Sequence, residues 1–268
     1  MKISLRPGPK TAIPEDRTFD PGSNIVIFTS AKGGSGCSFL ADSVASYMAC
    51  KTTLNVLLVD MNQGRMDSRM VFGLDGSLHV RDMGGLPAVL ETLDTSLLKK
   101  IVINMEDSLN IILPSLDVEN RDIFHTGNLD VFIEALRDHF DLVIIDMPGN
   151  LIGHIDLSET DIADRFIFVS LPDNVSASNT RLLMDHVGHY RTSYDFYLVI
   201  NKYNIRQAVS PAGLSNMVRH PVAAFIPYDP DIEAIVNSRG PGSIFKYNLK
   251  AVRNISGLAQ KIYQGLGI

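Results

Sequence analysis

At 268 residues with 45% hydrophobic side chains, the chain is long enough for one large α/β core, and no composition shift marks a second domain. A formal charge of −6 argues against coating nucleic acid, which depends on Lys and Arg neutralising phosphates, so no nucleic-acid partner is expected. Cys37 and Cys50 are too few for a disulfide framework or a zinc site, and no apolar run approaches the roughly 20 residues of a membrane span, so a cytoplasmic, reducing setting is expected.

Residues 1–23 carry Pro7, Gly8, Pro9, Pro14, Pro21 and Gly22 in a polar setting without a sustained period. They read as an extended leader, lack the apolar stretch of a signal peptide, and precede one domain over 24–268. Strands are predicted at Ile25–Thr29, Val56–Asp60, Leu109–Leu113, Leu142–Asp146, Arg165–Val169, Phe196–Ile200 and Ala223–Ile226. Helices are predicted at Ser38–Cys50, Leu86–Leu93, Leu129–His139, Ser176–His189, Pro211–Val218, Ile232–Asn237 and from about Lys246 to Tyr263. The alternation predicts an α/β fold with a mostly parallel sheet and helices on both faces. Ligands on such sheets gather at the carboxyl ends of the strands.

The first strand runs into Ser30-Ala31-Lys32-Gly33-Gly34-Ser35-Gly36-Cys37-Ser38, and an apolar helical pattern from Phe39 to Met48 follows. Strand, glycine loop and helix in this order make a phosphate cradle. Gly33, Gly34, Ser35 and Gly36 let backbone N–H groups turn inward, and the helix N-terminus at Cys37, Ser38 and Phe39 adds free donors. Ser38 supplies a hydroxyl for Mg²⁺. In an ordinary P-loop the residue before that hydroxyl is a lysine that reaches the β/γ-phosphates; here it is Cys37, and a neutral thiol cannot replace an ammonium group. A helix N-terminus lowers a thiol pKa, so Cys37 reads either as a redox-sensitive gate or, more plainly, as a small residue tolerated in the loop.

Asp60 closes the second strand, where a carboxylate can hold a Mg²⁺ water or orient an attacking water. Asn62 follows two residues later and, as an amide, cannot act as a base; Asp67 reads as a turn or cap at least as readily as a ligand. Asp146 closes an apolar strand before Met147-Pro148-Gly149, where it would bind Mg²⁺ through water and Gly149 would admit the γ-phosphate. The last helix bears Val252, Ile255, Leu258, Ala259, Ile262 and Leu266 at helical spacing. Packing on the sheet is favoured over weak contact with a membrane surface, because its basic residues Lys250, Arg253 and Lys261 are few.

From about Asn24 onward these motifs resemble the MinD/ParA group of P-loop ATPases, whose glycine loop is deviant. Lys32 stands where that group carries its signature lysine, and the resemblance implies that it reaches the nucleotide of a second subunit. The group usually has two aspartates, one residue apart, at the end of the second strand; this chain has Asp60 and Asn62. The resemblance implies Lys32 and Asp60 as catalytic groups, and Mg²⁺ held by Ser38, Asp60 and Asp146. It also implies ATP or ADP with adenine flanked by Asn201, Pro227 and Asp229, and a homodimer closed over the nucleotide face. Asn201 has the donor and acceptor for an adenine edge, although it could also cap a loop, and Pro227 and Asp229 could form only a turn.

Within the group the chain is similar to the TadZ/CpaE pilus-assembly branch. The likeness rests on the replaced P-loop lysine before Ser38, the Asp60 to Asp67 spacing followed by Phe72-Gly73-Leu74-Asp75, and the pattern of Leu86–Leu113. It implies pilus or secretion assembly proteins as partners and a cytoplasmic location, with the inner-membrane periphery or a cell pole as the finer alternative. Many chains of that branch carry a receiver domain ahead of the ATPase, so with only the short leader here no phosphorylation input is expected. Iron–sulfur relatives need two bridging cysteines and tyrosine-kinase relatives a tyrosine cluster; neither is expected, with Cys37 in the loop and Tyr263 alone in the tail. The expected activity is a nucleotide-dependent localisation or assembly factor with weak or absent hydrolysis. The alternative is a cycling ATPase for positioning or partitioning.

Overall fold

Five consecutive residues buried on both sides form the central strand, β1 (Ile25–Thr29), in a computed structural model that describes residues 24–74, 80–87, 90, 92–116, 129–153, 155, 157, 162–190, 195–204 and 209–266. Continuous apolar runs of this kind belong to parallel strands covered on both faces. In chain order β1 is followed by α1 (Cys37–Lys51), β2 (Val56–Asp60), α2 (Asp67–Val71), a 3₁₀ turn at Met83–Gly85, α3 (Thr95–Ile101), β3 (Val102–Asn104) and β4 (Leu109–Ile112). Then come α4 (Leu129–His139), β5 (Leu142–Asp146), α5 (Gly149–Ile152), β6 (Arg165–Ser170), α6 (Asn174–Tyr190) and β7 (Asp195–Tyr203). The chain ends with α7 (Pro211–Val218), β8 (Val222–Pro227), α8 (Pro230–Arg239), a 3₁₀ segment at Pro241–Lys246 and α9 (Lys250–Gly265).

The sheet order is β3-β4-β2-β5-β1-β6-β7-β8, and among the described strands only the edge strand β3 runs antiparallel. The strand period of two divides the core. Val26, Phe28, Leu58 and Ile144 face α1, α8 and α9, while Ile25, Ile27, Val59 and Ile145 face α3, α4, α6 and α7. The predicted α/β fold, with a mostly parallel sheet between two helical layers, is the observed one.

The amino ends of the central strands are closed by charge and amide pairs. Asn24 donates to the carbonyls of Arg137 and Phe140. Asp164 accepts from the Ile25 amide at 2.8 Å and from Arg137 at 2.7 Å. Buried Arg165 donates to Asp195 at 3.0 Å and to the last carbonyls of α9, Ile262 at 3.1 Å and Gly265 at 2.8 Å. A strand residue thereby caps a helix whose own final carbonyls lack intrahelical partners.

Several predicted elements shift. No helix spans Leu86–Leu93: its described residues are non-helical, because Pro87 holds Leu86 extended at φ −83°, ψ 147°. Leu86, Leu90 and Leu93 are nonetheless buried in the α4-side core, so the apolar signal was packing without helix. The nearby helix is α3, capped by Asp94, whose carboxylate accepts from the Leu97 amide at 2.9 Å. The final helix begins at Lys250, after an extended break at Tyr247 and Leu249 separates it from the 3₁₀ segment. Its stripe of Val252, Ile255, Leu258, Ala259 and Ile262 is buried against the sheet, so the apolar face that a membrane surface would need is inside the core. Among the described residues no helix is long and apolar enough to cross a membrane. The predicted leader and Asp75 lie outside the described residues.

Candidate functional site

Connections leaving the middle of the sheet diverge. From β1 the chain passes through α1 to β2 on one side, and from the adjacent β6 it passes through α6 to β7 on the other. Such a switch point opens a crevice at the carboxyl ends of the strands. A cavity of about 990 Å³ lies there, walled by the loop from Ser30 to Phe39 together with Asp42, Asn62, Asp146, Gly149 and Lys202. Its size suits a nucleotide.

The loop takes its shape from two glycines in the left-handed region, Gly34 at φ 75° and Gly36 at φ 82°. Gly36 is also the N-cap of α1 and offers no side-chain acceptor, which leaves the first amides of the helix free for an anion. The loop is braced from β7. Asn201 Nδ2 donates to the Ser35 carbonyl at 2.8 Å, and Lys202 Nζ donates to the Gly34 carbonyl at 3.0 Å. A Cβ at position 36 would collide with the Asn201 amide, so the brace and the glycine require one another.

Asn201 is buried and its amide nitrogen is engaged by the loop; it does not line the cavity. Its observed part is to hold the loop. Asp229 caps α8, accepting from the Asp231 amide at 3.1 Å, ahead of Pro230 in the first turn. Pro227 closes β8, and neither it nor Asp229 is in the cavity wall.

Lys32 is 45% exposed, and its ammonium lies 3.7 Å from the Asp173 carboxylate. Asp173 caps α6 through the Ser176 amide and hydroxyl, at 2.8 and 2.7 Å. Slight burial opposes its ionisation, but those hydrogen bonds and then the Lys32 charge hold its carboxyl below the usual range. The exposed Lys32 pair is worth little, so the ammonium can leave Asp173 at small cost.

Parallel pairing of β2 with β5 sets Asp60 beside Asp146, and the strand period turns both toward α1. Asp60 accepts from the Asn62 amide and side chain, both at 2.9 Å, through Oδ1. The same Asn62 side chain also donates to Asp146, so an amide bridges two carboxylates that a second aspartate would repel. Ser38 and Cys37 also hydrogen-bond Asp146. Burial, then the Asp60 charge, push the Asp146 carboxyl up to about 7, and burial likewise raises Asp60. Asp60 Oδ2 is buried without a well-formed hydrogen bond, although the Ser68 hydroxyl is near enough to help hold the Asp60 charge. Asp60 and Ser38 both neighbour Asp146, an all-oxygen donor set of the kind a hydrated Mg²⁺ takes, while among the described residues no three His, Cys, Asp or Glu side chains are grouped to hold a metal ion by themselves.

The surroundings of Cys37 weigh against a redox gate. Burial, then the charge of Asp146 and its hydrogen bond, push the thiol well above its ordinary pKa, overriding the helix N-terminus. Asp42 escaped the sequence reading. It sits one turn beyond Ser38 on α1, is 3% exposed, and accepts from Ser68 at 3.2 Å. Its one signal was a carboxylate inside an otherwise apolar helical run. Asp67 opens α2 and lies 3.9 Å from Arg65 at the exposed rim of the cavity.

No family model matches the chain. Over 130 residues it is 25% identical to the septum site-determining protein MinD of Synechocystis sp., a stretch covering 48% of this chain and 46% of that protein. The match thus spans about half the length of that relative. Solved structures align along nearly their whole length. The cell division ATPase MinD of Pyrococcus furiosus has a TM-score of 0.75 at 19% identity, covering 90% of this chain and 99% of that one. A ParA family ATPase from Chlorobium tepidum gives 0.72 at 20% identity, covering 88% and 98%. MinD of Pyrococcus horikoshii, complexed with Mg-ADP, gives 0.73 at 19% identity, covering 92% and 99%. The chain has the fold of the MinD and ParA ATPases.

Proposed function

We propose that this chain is a MinD/ParA-type ATP-binding protein that acts as a nucleotide-dependent dimeric localisation or assembly factor, with weak or absent hydrolysis. The observation that carries the reading is a glycine loop walling a cavity beside the paired Asp60 and Asp146, with the buried Cys37 where a P-loop lysine would stand. The Mg-ADP held by the Pyrococcus horikoshii relative supports a magnesium nucleotide as the ligand. When bound, Mg²⁺ would sit with Ser38, Asp60 and Asp146 and neutralise phosphate charge.

A hydrogen bond to a charged group is worth about 1.5–3 kcal/mol, so a missing lysine weakens binding by roughly ten- to a hundredfold and leaves it measurable. Turnover suffers more, because removing one preorganised donor from the developing charge costs about 10²–10³ in rate. Asn62, an amide already engaged by two carboxylates, adds no base. Binding is then the output, and Lys32, loosely held on Asp173, is the group free to reach a second subunit.

The motifs shared with the TadZ/CpaE branch support a Flp/Tad-type pilus or secretion apparatus as the machine served. The net charge of −6 supports a protein partner over nucleic acid. Calorimetry with Mg²⁺ and ATP tests the reading, together with the particle mass with and without nucleotide; no uptake of either ATP or ADP overturns it. The cycling-ATPase reading is favoured by one observation, the intact grouping of Ser38, Asp60 and Asp146. Phosphate release at a rate ordinary for such enzymes, abolished by Asp60→Ala, would establish it instead.

A further inference from the structure

Among the described residues three cations stand in the cavity wall, and they are held differently. Lys32 lies 3.7 Å from the Asp173 carboxylate, and Arg65 lies 3.9 Å from that of Asp67. Lys202 is exposed and rests on a neutral group, the Gly34 carbonyl at 3.0 Å, and among the described residues no carboxylate pairs with it. A carbonyl occupies one of its three N–H donors and cancels none of its charge. The rest is available to an anion.

The backbone is bent to put it there. Between Ile200 and Tyr203 the pairing of β7 with β8 slips, and within that slip Lys202 takes the left-handed region at φ 53°, a setting unfavourable to a residue with a Cβ. Its stem then lies over the N-cap of α1, with Cε 3.9 Å from the point where a Cβ on Gly36 would stand. The ammonium, one bond further along, sits over the segment from Gly34 to Gly36 that leads into the free amides of α1. A thiol at Cys37, where a P-loop lysine would stand, brings no positive charge to this segment. We propose that Lys202 supplies, from β7 and within the same chain, the phosphate-facing cation that the glycine loop lacks at position 37. The assignment rests on the nucleotide reading above and divides the work between two lysines, Lys202 for the chain's own ligand and Lys32 for a second subunit. Reaching in from another strand, Lys202 offsets part of the lost affinity, so Cys37→Lys still has affinity to add.

The test is calorimetry with Mg²⁺ and four probes: ATP, ADP, AMP and inorganic tripolyphosphate. Lys202→Met keeps the stem and removes the charge; it is expected to weaken ATP and tripolyphosphate about tenfold, and AMP by less than about threefold. Lys202→Arg, which keeps the charge, is expected to lose less than about threefold on ATP. Adding Cys37→Lys should help Lys202→Met more than it helps the wild type, because both ammonium groups serve the same phosphates. A brace that only holds the loop predicts equal losses for AMP and ATP and equal gains from Cys37→Lys. Either result overturns the proposal, as does Lys202→Met that binds ATP like wild type. Should Lys202→Met fail to fold, acetylation of the wild-type chain by an N-hydroxysuccinimide ester, read by mass spectrometry, replaces it. ATP with Mg²⁺ should slow labelling of Lys202 about tenfold, in keeping with the charge-assisted bond, and labelling that ATP leaves unchanged overturns the proposal. Tripolyphosphate has no base, so a chain that binds it through Lys202 but takes up neither ATP nor ADP keeps this assignment and loses the function above. A chain that binds no probe loses both.

Discussion

The two ends of the same parallel sheet treat buried charge in opposite ways. At the amino ends, Asp164 has Arg137 and the Ile25 amide, and Arg165 has Asp195 and two carbonyls of α9. At the carboxyl ends, Asp42, Asp60 and Asp146 share hydroxyls and one amide but, among the described residues, no lysine or arginine. Asp60 and Asp146, like Arg165, lie at strand ends, so local backbone geometry does not explain the contrast. One end is closed by paired charges, and the other opens on the cavity with no lysine or arginine on its carboxylates among the described residues. The sharpest tests break the closed end or close the open one.

The largest effect is expected at the closed end. Arg165→Ala leaves two helix carbonyls and part of Asp195 without a donor, and also removes the guanidinium from above the Tyr197 ring, 5.3 Å from its centroid. A loss of about 3–4 kcal/mol in urea unfolding is expected. A loss under 1 kcal/mol would mean that this cap is ornamental.

The open end should respond to pH with the opposite logic. Asp146 is raised to about 7 in the fold, by burial first and then by Asp60, whereas the unfolded chain titrates it near the ordinary carboxylate value. Between those two values the folded state holds a proton that the unfolded state has released. Stability without metal or nucleotide must then fall as pH rises from about 4 to about 7, by on the order of 2–4 kcal/mol from this group. Asp146→Asn should flatten that slope and raise stability at neutral pH. Melting curves at several pH values, with and without Mg²⁺, read both effects; a slope that persists unchanged in the variant would remove Asp146 as its source.

Restoring the missing charge is the next test. Cys37→Lys places an ammonium beside Asp146, and ATP affinity measured with Mg²⁺ should improve by roughly ten- to a hundredfold, equivalent to about 1.5–3 kcal/mol. Unchanged affinity would mean that the loop amides and metal already supply everything the phosphates need.

The same contrast explains what the sequence could reveal. Ile25–Thr29, the glycine loop, Asp60 and Asp146 were legible because each is written locally, as an apolar run closed by a characteristic residue. The partnership of Asp60 with Asp146 was legible only through strand order, since their pairing joins segments far apart in the chain. Asp42 was hidden because α1 is buried on nearly every side, so no polar face existed against which a carboxylate would stand out. Leu86–Leu93 misled because leucines at helical spacing, Leu86, Leu90 and Leu93, are buried where their own residues are not helical, Pro87 holding Leu86 extended. Arg165 reaches α9 across a hundred residues, and Asn201 reaches Ser35 across more, so neither role leaves a local trace.

The smallest expected effect on stability separates two functions that meet at Asp173. Lys32→Ala removes an exposed pair held at 3.7 Å, so unfolding free energy should change by less than about 0.5 kcal/mol. Asp173→Ala removes the same pair and also the α6 cap on Ser176, and should cost about 1 kcal/mol. Particle mass with ATP and Mg²⁺ then discriminates. If Lys32 serves the partner's nucleotide, Lys32→Ala stays monomeric at full stability, while Asp173→Ala, with its lysine released, dimerises at least as readily as wild type. A Lys32→Ala chain that dimerises normally would return Lys32 to the role of a solvated rim charge, and the open end of the sheet would then be completed by metal and nucleotide within a single chain.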